Sequence, residues 1–259
     1  MEEKELGLWQ SVVIGAAGLT GFLVVWELMV KSGLIDPYFL PAPSQVVGRM
    51  VEMAFGPRAV LADDIKMSAS RVLAGFLLSA AIGVPCGLVM GVNPYIRAAL
   101  NPIVSLIRPL PALSWIPLSM LWLGIDEQQK YAIVFMGCFA SILVYTIDAT
   151  LRVDPTLTLA ARNLGAGRFQ VLCYVVLPGA LPNILSGLKV VLAIAWTCVI
   201  SAEMVGANSG LGFRIWMAKE FSDTSQVLVG MLCISLTVLI LDILFRGIER
   251  LLIPWQRRG

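Results

Sequence analysis

Five ionisable residues stand in or beside long apolar runs: Glu27, Arg108, Asp148, Glu203 and Asp242. Charge at membrane depth is costly, so it marks either a solute pathway or an internal ion pair. Glu27, Asp148 and Asp242 fall near the ends of their runs, within reach of headgroups, which leaves Arg108 and Glu203 as the pathway candidates. An arginine fork suits a planar or tetrahedral oxyanion. The same two residues could instead pair with each other, or Arg108 with backbone carbonyls, without touching a solute. Catalytic chemistry has fewer footholds. There is no histidine, and Cys86, Cys138, Cys173, Cys198 and Cys233 lie in apolar or amphipathic runs without the close pairing of zinc or redox sites. The expectation is no metal site and no catalytic residue. No GxxxxGK[ST] stretch occurs, so any nucleotide chemistry must come from a partner.

The elements that must carry these charges are membrane spans. The chain has 259 residues, 58% hydrophobic and 14% charged, which is outside the range of ordinary soluble domains. At about 20 apolar residues per span, this length holds roughly six. A net charge of +2 gives no reason to expect nucleic acid. The expected spans are residues 11–30, 68–92, 98–123, 131–149, 179–205 and 227–244, in a single domain covering 1–259. The acidic start MEEKE and the absence of a small-residue cleavage site suggest an uncleaved first span. Between the first two spans, PSQVVGRMVEMA reads as an amphipathic helix lying on the membrane surface or covering the bundle's own loops. Gly83, Gly87 and Gly91 make a close-packing stripe on the second span. The third is broken by Pro102, Pro109, Pro111 and Pro117 around Arg108, and irregular backbone survives at that depth only against protein or a water-filled cavity. Ala207 to Asp223 reads as a long loop, and Trp255 as an interfacial anchor beside an arginine-rich tail.

One polar, cap-rich interruption breaks the second half, from Asp154 to Pro182. Asp154 suits a helix cap and Pro155 its first turn, while Leu157, Ala160, Ala161 and Leu164 share one face. Gly165 sits where a left-handed cap is commonest. A second apolar run then extends from Phe169 and should stop at Pro178. The small alanines would let a partner's backbone approach, while Arg162 and Arg168 keep the polar side in water. The loop is thus either a protruding knob or an amphipathic helix resting on its own bundle.

The order of residues in this loop resembles the signature loop of ATP-binding-cassette (ABC) importer permeases. Ala160, Ala161, Gly165, Leu177 and Pro178 fill the signature places, with Val175 at the usual isoleucine and Leu159 where a glutamate usually leads. Beyond the loop, LPAPSQV, RPLPALSWIPLSMLWLGI and GLGFRIWMAKEF look like the nitrate, sulfonate, taurine and bicarbonate branch of that family. The resemblance implies an all-α membrane protein of the type I importer permease fold, with a cytoplasmic coupling helix between spans 4 and 5. It implies as partners a second permease copy in a homodimer, two ATPase subunits holding ATP and Mg, an external solute-binding protein and the membrane lipid. Leu157, Ala160, Ala161, Arg162, Leu164, Gly165 and Arg168 would then form the ATPase contact. Both termini would be cytoplasmic in the inner membrane, which agrees with the arginines beside the loop and in the tail. An ion-gradient-driven secondary transporter is the alternative, although no inverted repeat is visible.

Overall fold

The computed structural model describes residues 7–57 and 59–254. The acidic start, Arg58, Trp255 and the tail charges Arg257 and Arg258 lie outside them. The described chain is helical, without strands, in the order α1 (Leu8–Lys31), α2 (Pro43–Phe55), α3 (Leu61–Val92), α4 (Pro94–Ile107), α5 (Ile116–Leu123), α6 (Glu127–Leu151), α7 (Pro155–Asn163), α8 (Arg168–Val171), α9 (Leu177–Gly206), α10 (Leu211–Glu220) and α11 (Thr224–Leu252). Among the described residues five helical stretches are long and apolar enough to cross a membrane, and the α4–α5 pair, bent by 87°, brings the number to six where it counts as one broken span.

Two compact units share these helices. One comprises the chain up to Ala62 with Arg214–Leu232, the other Asp63–Phe213 with the chain from Cys233 onward. In the first, the Glu27 carboxylate accepts the Ser44 N–H at 3.1 Å and the Ser44 hydroxyl at 2.8 Å, while Lys31 pairs with it at 2.9 Å. Glu27 therefore caps the first turn of α2, where exposed backbone N–H groups favour an anion. Along α2, Val46 and Met53 are buried, while Val47, Val51 and Phe55 form an exposed apolar row at i, i+4 and i+8.

The core of the second unit is made by α3, α6 and α9, and glycine contacts give their directions. A Cβ on Gly75 would meet Val134, on Gly83 Ile142, on Gly87 Thr146 and on Gly91 Thr150. The offset is the same each time, so α3 and α6 run parallel at close approach. Against α9 the order reverses. Gly137 meets Cys198, Gly187 meets Tyr145, and Gly179 meets Val153, as an antiparallel pair requires. Thr146 and Thr150, wedged against the glycines, return their hydroxyls to the carbonyls of Ile142 and Thr146 at 2.8 Å, so neither hydroxyl is left open in the seam.

Three sequence expectations need correction here. Pro178 does not stop the helix after Phe169: Arg168–Gly206 is one 39-residue apolar stretch. A π-helical segment at Leu172–Val176 precedes Pro178, where proline removes a hydrogen bond and crowds the preceding turn, and the wider π turn absorbs both effects. Ala207 to Asp223 is not a loop but holds α10. The polar Glu127–Lys130 segment is the first turn of α6, with Gln129 and Lys130 buried.

Candidate functional site

The knob is built as its residues dictate. Asp154 Oδ1 accepts the Thr156 N–H at 2.8 Å, and Pro155 occupies the first turn of α7. Hydrogen bonding from the Thr156 hydroxyl, and then from its N–H, holds the exposed Asp154 carboxyl below its usual value. At the other end Gly165, at φ +87°, takes the left-handed cap. The Ala166 N–H returns to Ala161 O at 3.0 Å and the Gly165 N–H to Arg162 O at 2.9 Å, the paired bonds of a Schellman motif. Both ends of a nine-residue helix, too short to be stable alone, are thereby closed.

None of α7 is buried. Leu157 and Leu159 are each more than half exposed, and Leu164 is 89% exposed. Ala160, Arg162, Gly165 and Arg168 are exposed too, and Ala161 is half-buried. Leu157, Ala160 and Leu164 of the apolar face are thus uncovered, while Ala161 is partly packed. Beside it lies a groove of about 970 Å³, lined among others by Gly91, Tyr95, Thr150, Arg162 and Phe169. Leu159, Phe169 and Tyr174 are further exposed apolar side chains in this segment. Tyr174 was not singled out in sequence, and Leu159 and Phe169 were not placed in the contact, because they lie off the Leu157–Leu164 face.

The two pathway candidates are not brought together. Arg108 caps the C-terminus of α4 at the bend before Pro111, is exposed, and has no ion pair or side-chain hydrogen bond among the described residues. Glu203 is 1% exposed, and its partner is Arg71, at 2.8 Å, in place of Arg108. It also accepts the Ser68 hydroxyl at 2.8 Å and the Gly212 N–H at 2.8 Å. Arg71, fully buried, was missed in sequence. A second ion cluster joins α9 to α11: Asp242 accepts Lys189 at 3.2 Å and Arg246 at 2.7 Å. Lys189 was also overlooked. Among the described residues no three carboxylate, cysteine or histidine side chains gather in a way that could hold a metal ion.

A bundle of long apolar helices with one bent helix pair and a polar, capped helix-turn element is the architecture of a polytopic membrane protein. A family model described as "Binding-protein-dependent transport system inner membrane component" matches residues 83–258, and the chain belongs to that family. It is 36% identical to the taurine transport system permease protein TauC of Escherichia coli, over 96% of this chain and 92% of that one. It is 32% identical to the putative aliphatic sulfonates transport permease protein SsuC of Bacillus subtilis, over 98% and 90%. The nitrate import permease protein NrtB of Synechocystis is 26% identical over 96% and 92%. Among solved structures, the fold is similar to a chain of the inward-facing MetNI methionine ABC transporter, with a TM-score of 0.66 and 22% identity, covering 74% of this chain and 96% of that one. The chain is thus a permease subunit of an ABC importer, a multi-pass inner-membrane protein whose ATPase is a separate subunit.

Proposed function

We propose that this chain is one permease domain and works as a pair of identical copies. The pair admits a small oxyanion, a sulfonate such as taurine or a nitrate-type ion, delivered by an external solute-binding protein. Two partner ATPases supply ATP and Mg, and the chain itself holds no cofactor. The observation that carries the reading is α7, whose apolar face is closed at both ends and left uncovered, with Leu164 at its tip. Such a face fits a groove in a soluble partner, and Leu157, Ala160, Ala161, Arg162, Leu164, Gly165 and Arg168 would form the contact. The α7 end and both termini face the cytoplasm in this reading, supported by the arginines at 152, 162 and 168.

The names of the relatives TauC, SsuC and NrtB support the oxyanion. So does Arg108, a guanidinium without a carboxylate partner among the described residues, at the 87° break of a span whose apolar residues Ile103, Leu106 and Leu110 are exposed. A charge and broken backbone open to lipid are costly, so a second copy or a water-filled pathway must cover this face. Glu203, closed in by Arg71, Ser68 and Gly212, takes a supporting place. The test is uptake of radiolabelled taurine, alkanesulfonate, nitrate and bicarbonate into vesicles holding the permease, its ATPase and its binding protein. Uptake that needs both ATP and the binding protein is expected. Uptake driven by an imposed proton gradient, with ATP irrelevant, would replace this reading with a secondary transporter.

A further inference from the structure

Arg71 uses its whole guanidinium. Its Nε and Nη2 donate to the two Glu127 oxygens at 2.6 Å each, its Nη1 to Glu203 Oε1 at 2.8 Å and to the Ser209 carbonyl at 2.7 Å, and Nη2 also reaches Ser209 Oγ at 3.3 Å. All five guanidinium N–H groups thus have acceptors, an arrangement that a lysine's three-donor ammonium cannot reproduce.

What this arginine holds is a turn. Four successive residues are fixed at once: Ser209 by Arg71, the Gly210 N–H by Asp64 at 2.9 Å, the Leu211 N–H by the Ser68 hydroxyl at 2.8 Å, and the Gly212 N–H by Glu203 at 2.8 Å. Gly210 sits at φ +111°, and a Cβ there would meet the Glu203 carboxylate at 2.5 Å, so the turn closes directly onto the end of α9. Such a turn is not a slack connector. It is bolted to α3 and α9, and through Glu127 to α6.

Its place along the span gives this rigidity a use. The apolar stretch from Arg168 to Gly206 has 39 residues. At 1.5 Å per residue it is about 58 Å long, more than a bilayer with its headgroups. The bolted turn is therefore at the membrane face opposite α7, and one helix joins the two. In the importer reading given above, that face receives the solute-binding protein.

We propose that Arg71 is a positioning residue for transport: by fusing the Ser209–Gly212 turn to α3, α6 and α9, it lets docking of the solute-binding protein be relayed along α9 to the ATPase-facing loop. This rests on the importer reading given above. Without the bolt, the turn would yield locally to the docked protein, and α9 would not move.

The experiment uses the complete importer in proteoliposomes and measures ATPase activity with and without loaded binding protein. Arg71→Lys keeps the charge but loses the fork. Glu127→Gln weakens the fork from its half-exposed rim and leaves Glu203 to neutralise Arg71, so it serves if the lysine variant fails to assemble. Expected is a basal ATPase within about twofold of wild type, with the binding-protein-stimulated increment reduced about fivefold or more, the lower end of ordinary site-to-site coupling. A parallel fall of basal and stimulated rates, with a lowered melting temperature, would make Arg71 merely structural and overturn the proposal. So would an unchanged increment in both variants. If wild type itself shows no stimulation, the importer reading fails, and this proposal fails with it.

Discussion

Replacing Gly87 with alanine tests the parallel α3–α6 seam most directly. In a helix interior that change ordinarily stabilises by about 0.5–1 kcal/mol, because glycine loses more backbone freedom on folding. At Gly87 the added Cβ would lie 2.6 Å from Thr146 Cβ and 3.0 Å from the Leu143 carbonyl oxygen, a rigid backbone atom. Ordinary carbon contacts lie near 3.5–4.0 Å, so the helices must separate by about 1 Å. Overpacking of this kind costs about 1–3 kcal/mol, which exceeds the backbone gain. Gly18, in α1, is the control, since nothing lies within 4 Å of its Cβ position. The assay is thermal unfolding of the detergent-solubilised importer, carrying Gly87→Ala or Gly18→Ala. At about 2–4 °C per kcal/mol for a chain of this size, Gly87→Ala should melt several degrees below Gly18→Ala. In the Thr146→Gly background, Gly87→Ala should cost less than it does in the wild type, as a coupled pair requires. Equal melting temperatures for the two alanine variants would show that α3 and α6 do not approach as described.

Other consequences concern the knob and the break. Gly165→Ala places an L-residue at φ +87°, costing about 1–2 kcal/mol, so ATPase affinity measured by titration should fall about 5–30-fold, while Gly165→Asn, which tolerates that region, should lose much less. Leu164→Asp should abolish co-purification of the ATPase with an inserted permease, and full co-purification would exclude Leu164 from the contact. The Asp154 cap is held by its ionised form and its pKa is depressed, so its contribution is complete above the ordinary aspartate value and is lost only as pH falls through the lower folded value. ATPase binding should therefore be flat from pH 5 to 8, and Asp154→Ala should weaken it where Asp154→Asn does not. Arg108→Gln should slow anion uptake while leaving basal ATPase activity intact, and unchanged rate and selectivity would remove Arg108 from the pathway.

How far the sequence reached depended on how local each determinant was. Asp154, Pro155 and Gly165 act within a turn of themselves, and α7 emerged with both caps where they stood. The spacing of Gly83, Gly87 and Gly91 announced a close approach, although not to which helix. The prolines around Arg108 announced a break, although not its 87° angle. Distant partners were not legible. Arg71 meets Glu203 across 132 positions and Glu127 across 56, and neither separation leaves a periodic trace. For the same reason α10 was read as loop, because the acceptor that caps Leu211 is Ser68, 143 residues earlier. Pro178 misled in the opposite sense: a local stop signal was overridden by a π turn just before it.

The π segment at Leu172–Val176 has a geometric consequence as well. Each residue of an α-helix advances its side chain by about 100° around the axis, so one extra residue accommodated in a turn rotates everything before it relative to everything after by about that amount. The segment therefore acts as a phase shifter. It sets the compass bearing of the α7 knob independently of the faces that α9 turns toward α3 and α6. Bearing and span length become separate variables: the direction of the α7 knob can be retuned by one residue without disturbing the glycine seams that hold the bundle. Deleting one residue within Leu172–Val176 would swing the knob by roughly a quarter turn while leaving the far end of α9 in register.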